Sequence, residues 1–96
     1  MNTLGNKVVL VSKTGYSLAK DQILRELISE PIALFCVVGQ DCRMWEDAMD
    51  DLCVGDGSHP VFIPTTSHPG ETTEDVVEFA RLFSIDDDRG VRIVEI

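Results

Sequence analysis

Lys7-Val-Val-Leu-Val-Ser12 and Pro31-Ile-Ala-Leu-Phe-Cys-Val-Val38 decide the fold. Each carries an unbroken apolar run, Val8 to Val11 in the first and Ile32 to Val38 in the second, with no polar alternation. A strand with one wet face alternates, whereas a strand buried on both faces does not, and double burial is the situation at the centre of a parallel sheet. Two more strand candidates follow, Pro60-Val-Phe-Ile-Pro-Thr-Thr66 and Val91-Arg-Ile-Val-Glu-Ile96. A helical pattern separates each strand from the next, and this order predicts an α/β domain with a four-stranded, mostly parallel sheet and three helices.

The first helix is expected from Ser17 or Leu18 to Ser29, with Ile23, Leu24, Leu27 and Ile28 as its apolar stripe and Leu18 and Ala19 one turn earlier. Pro31 ends it. The second helix starts near Asp41, a natural N-cap, and runs past Cys53 with Met44, Trp45, Ala48, Met49, Leu52 and Cys53 on its buried side. Val54-Gly-Asp-Gly-Ser-His59 reads as a turn-rich loop. Pro64 has no amide donor, so strand three belongs at an edge or loses its pairing at that residue. The third helix opens near Thr72 or Thr73 and buries Val76, Phe79, Ala80 and Phe83. Strand four carries Arg92 and Glu95, charges that suit an edge.

Right-handed crossovers limit the topologies. Placing the two fully apolar strands in the middle gives the order 3-2-1-4, with helices one and two on one face and helix three on the other. The alternative is 2-1-3-4. Both orders share their topology with Rossmann-like and flavodoxin-like domains, whose cofactor signatures are missing here: the chain has no G-x-G-x-x-G and no G-x-x-x-x-G-K-[ST]. No strand ends in an aspartate that could accept a phosphoryl group, as receiver domains require. Three helices cover two sheet faces unevenly, so an apolar patch and a homodimer are expected.

The 96 residues make one domain. Seventeen acidic against eight basic residues give a net charge of −9, which repels phosphate backbones, excludes nucleic acid as a partner and would steer a basic protein toward the surface. No apolar run reaches the ~20 residues of a membrane span, the N-terminus lacks a signal-peptide pattern, and the three cysteines make an odd count, so the expectation is a cytoplasmic protein with reduced thiols and no membrane contact.

In an open parallel sheet, ligands gather beyond the carboxyl ends of the strands. That rim holds Lys13, Thr14, Gly15 and Tyr16 after strand one, Gly39, Gln40 and Asp41 after strand two, and Thr65, Thr66, Ser67 and His68 after strand three. Its hydroxyls, with one Lys and one His, would suit a small polar or anionic ligand. Loops of this kind are polar in any case. Cys42, in the first turn of a helix beside Arg43, is the best candidate for a reactive thiol, but Asp41 opposes its ionisation. His59 and His68 flank a whole strand and cannot share a ligand. Neither a catalytic triad, nor a metal cluster, nor a cofactor site can be assembled from spacing.

Helix two carries Glu46, Asp47, Asp50 and Asp51. Glu46 with Asp50, and Asp47 with Asp51, are like-charge i,i+4 pairs that cost the helix a few tenths of a kcal/mol each. A surface that binds a basic protein would explain why the repulsion is kept; a solvated face would simply tolerate it. The leading expectation is therefore a non-enzymatic interaction or regulatory module working through this acidic face. The alternative is a small-molecule or anion-binding domain, or a minimal enzyme, working at the rim.

Overall fold

The computed structural model describes residues 5–55, 57, 58 and 60–96. The N-terminal residues 1–4, together with Asp56 and His59 of the predicted turn-rich loop, lie outside that set. The described chain forms β1 (Lys7–Ser12), a 3-10 turn (Leu18–Lys20), α1 (Asp21–Ile28), β2 (Leu34–Gly39), α2 (Cys42–Val54), β3 (Thr65–His68), α3 (Thr73–Leu82) and β4 (Val91–Glu95). The sheet is parallel throughout, in the order β3-β2-β1-β4. No helix among the described residues is long and apolar enough to cross a membrane.

The two unbroken apolar strands take the centre, as double burial requires. Register places Val9 beside Cys36 and Leu10 beside Val37, so alternate residues feed two separate cores. Val8, Leu10, Phe35 and Val37 pack with Leu24, Leu27, Trp45 and Met49 of α1 and α2. Val9, Val11, Leu34, Cys36 and Val38 pack with Val76 and Ala80 of α3. Helices one and two therefore share one face and, among the described residues, α3 is the helix on the other, leaving Ile93 of β4 about half exposed.

Several local expectations shift. The second strand begins at Leu34 rather than Pro31, because Glu30 and Asn6 carbonyls take the amides of Ile32 and Ala33 before the ladder starts. The third strand moves further, from the expected 60–66 to Thr65–His68. Residues 61–64 lie instead against the end of α2, where the Val61 amide donates to the Cys53 carbonyl (2.8 Å) and Ile63 joins the core. Pro64 stands where pairing begins, its carbonyl accepting from the Phe35 amide at 2.9 Å. Two prolines cannot supply ladder donors, so the polar Thr-Thr-Ser-His run forms the strand. Leu18 falls in the 3-10 turn and is 80% exposed, not part of the α1 stripe; Met44 of α2 is also half exposed.

Asp41 sits at the N-cap position of α2, but its φ of 60° is left-handed and its side chain caps nothing there. Its carboxylate accepts the Tyr16 amide at 3.0 Å, which joins the β1 and β2 loops. By contrast, Thr72 does cap α3, its Oγ1 accepting from the Asp75 amide.

β1 opens on a lysine that is 1% exposed. Lys7 Nζ donates to the Arg81 and Phe83 carbonyls at 3.2 Å each and to Asp88 Oδ2 at 2.7 Å. A cation at a helix C-terminus meets the negative end of its dipole and satisfies orphan carbonyls. The same ammonium, helped by the Gly90 amide, holds the Asp88 carboxyl below the usual carboxylate range.

Candidate functional site

The rim residues after β1 are engaged with one another. Lys13 is exposed, its ammonium 3.6 Å from Glu95 of the edge strand β4. Lys20, from the 3-10 turn, donates to Thr14 Oγ1 (2.7 Å) and to the Gly15 carbonyl (2.6 Å). Gly15 has φ +84°, a left-handed backbone that favours glycine, and a Cβ there would displace the Asp41 carboxylate, whose Oδ2 stands 2.7 Å away. The Tyr16 hydroxyl donates to Asp21, and its ring meets Trp45 edge-on at 5.2 Å. That hydrogen bond, aided by burial and the Asp21 charge, pushes the phenol up to about 12. Trp45 is fully buried and donates Nε1–H to Ser12 Oγ at 2.9 Å.

The rim residues expected after β3 lie within the strand, two strands away from Lys13, and alternate between the faces. Thr65 and Ser67 point to α2, donating to Asp50 (2.5 Å) and Glu46 (2.6 Å). Thr66 and His68 point to the α3 face. His68 is 6% exposed, with its ring T-shaped on Phe79 at 4.9 Å. Its Nε2 is 2.7 Å from Thr66 Oγ1 and its Nδ1 3.1 Å from Glu71 Oε2. A hydroxyl, an imidazole and a carboxylate thus form one hydrogen-bonded chain. Glu71 favours the proton on Nδ1, which leaves Nε2 to accept from Thr66. Spacing alone missed this chain: Thr66 and His68 share a face through strand period, but Glu71 joins them only through the turn at Pro69 and Gly70.

The acidic residues of α2 divide into two rows. Glu46 and Asp50 lean over β3, as above. Asp47 and Asp51 line a groove of about 340 Å³ against α1, together with Asp21 and Tyr16, and the exposed Leu18 and Met44 form its apolar wall. On the other flank, a second groove of about 430 Å³ runs between the end of α2 and residues 61–64, with Val54 and Phe62 exposed and Asp50 at its edge. Among the described residues, none of these four α2 carboxylates forms an ion pair.

A third groove, about 530 Å³, opens at the carboxyl ends of β2 and β3 beside Arg43 and Gly70. Cys42 touches it but is 4% exposed and packed into the core under α1 and α2. Burial pushes the thiols of Cys36 and Cys53 up, and all three cysteines are free and buried. No group of three or more His, Cys, Asp or Glu among the described residues is placed to hold a metal ion.

Residues 3–94 match the family described as Domain of unknown function (DUF7684), and the chain belongs to that family. Neither a curated protein nor a solved structure matches it.

Proposed function

We propose that the protein is a non-enzymatic cytoplasmic interaction module that docks a basic protein partner on the acidic side of α2. One observation carries the reading: Glu46, Asp47, Asp50 and Asp51 follow one another on α2 with no cation between them and, among the described residues, no ion pair to Arg43 one turn earlier, between two grooves with exposed apolar walls. A basic partner would remove the like-charge cost of the two i,i+4 pairs and bury Leu18, Met44 or Phe62 at the same time. Calorimetric titration with a lysine-rich peptide tests it. The expected result is tight binding that weakens steeply with salt, with affinity lowered at least tenfold by Glu46→Lys/Asp50→Lys/Asp51→Lys, which reverses charge in both rows, and unchanged by Lys13→Ala. Equal binding by the charge-reversed protein would remove the proposal.

A second reading, a minimal enzyme at the end of β3, is favoured by the Thr66–His68–Glu71 chain, whose connectivity matches a hydroxyl activated by an oriented base. Hydrolysis of an activated ester that disappears in both Thr66→Val and His68→Ala would support it. Turnover unaffected by either substitution would leave the first reading alone. Self-association is also proposed, through the half-exposed Ile93 beside α3.

A further inference from the structure

We propose that the partner binds as an extended basic segment that adds a strand to the open edge of β3. The inference rests on the preceding reading, that the acidic side of α2 meets a basic partner, and it specifies where that partner lies and in what conformation.

The edge itself comes first. Among the described residues, β3 is terminal in the sheet and pairs only with β2. Because Pro64 directs its carbonyl to the Phe35 amide, strand alternation turns Thr66 inward as well and leaves the N–H and C=O groups of Thr65 and Ser67 facing outward. Edge strands are usually blunted by lysine, proline or a bulge. The run Thr65 to His68 contains neither of the first two and its register with β2 is continuous; its length of four residues and the flanking Pro64 and Pro69 limit an added strand to this short stretch.

The charge above that edge supplies the specificity. Glu46 and Asp50 stand over Ser67 and Thr65. One turn of helix separates the two carboxylates by about 6 Å. Residues i and i+2 of a strand are about 6.6 Å apart on the same face. An added strand with lysine or arginine at alternate positions would therefore bring its cations to these carboxylates in step, while its main chain pairs with Thr65 and Ser67. The groove at Val54, Val61 and Phe62, level with the start of β3, would take one apolar side chain of the same segment. A second copy of this chain fits poorly, since a symmetric β3–β3 pairing would bring two rows of Glu46 and Asp50 together.

The probe is a short synthetic peptide with lysine at alternate positions, threonine between them and leucine at both ends, titrated into the isotopically labelled full chain. Binding should slow amide exchange at Thr65 and Ser67. Methylating the peptide's main-chain nitrogens that face the protein, which leaves its charge intact, should lower affinity at least tenfold, and Phe62→Ala should lower it severalfold. If the methylated peptide binds equally well while charge dependence persists, the added strand is overturned and the acidic-face reading stands. If Glu46→Gln/Asp50→Asn, which keeps acceptors for Ser67 and Thr65, leaves the affinity unchanged, these carboxylates are not the contact and the inference falls. Protection of Thr65 and Ser67 that rises with protein concentration and needs no peptide would identify a second copy as the occupant and overturn it too.

Discussion

Tyr16 is the single tyrosine of the chain, so ultraviolet absorbance follows its ionisation without interference. Its phenol should ionise near pH 12, and Asp21→Asn should move it back toward 10.0. The sign of the linkage follows: the folded state favours the neutral phenol, so its stabilisation is complete below pH 10 and is lost as the pH rises toward 12. Asp88 behaves in the opposite sense. Its folded carboxyl is depressed, so its contribution is present above the ordinary aspartate range and is lost as acid protonates the folded form. Acid titration of stability, by circular dichroism, should lose part of its slope in Asp88→Asn. Lys7→Met should destabilise by about 3 kcal/mol in urea denaturation, because the Arg81 and Phe83 carbonyls lose their buried donor. Neither Lys7 nor Lys20 is marked by its local sequence: a lysine at a strand start or in a first helical turn normally reaches solvent, and only the folded chain puts carbonyls within its reach.

Among the elements, capping separates two helices that look alike in sequence. Thr72→Ala should cost about 1 kcal/mol of α3 stability in thermal unfolding, whereas Asp41→Asn should change stability by less than about 0.5 kcal/mol, since asparagine tolerates the left-handed backbone and keeps an acceptor for Tyr16. Gly39 is more demanding: a Cβ there would lie 2.3 Å from the Ser12 carbonyl, so Gly39→Ala should force β1 and β2 apart where their loops begin. The central strands, the three helices and the order β3-β2-β1-β4 were readable because apolar runs and turn residues state burial directly. β3 was not. Val61, Phe62 and Ile63 have the stronger strand propensity, yet the strand forms in the polar run beyond them, held by hydroxyl bonds to Asp50 and Glu46 and by the burial of His68 on Phe79. The same long-range pairing hid the two-row division of the α2 carboxylates, because which side of a helix meets an edge strand depends on where that strand lies.

For the whole molecule, a charge of −9 on 96 residues keeps copies apart at low salt. The expected pairing through Ile93 should therefore appear in light scattering as a dimer at micromolar concentration that strengthens with salt; a monomer throughout would count against it. The clasp between Lys7 and Asp88 carries a different consequence. It joins residues 81 positions apart, and β1 pairs with β4 across a similar span, Lys7 beside Val91. Contacts that close so large a loop form late on the route to the native state. The clasp then acts chiefly on escape from the native basin: weakening it should accelerate unfolding in stopped-flow chevrons while the refolding limb scarcely moves. Lifetime, more than speed of formation, is what the buried ammonium governs.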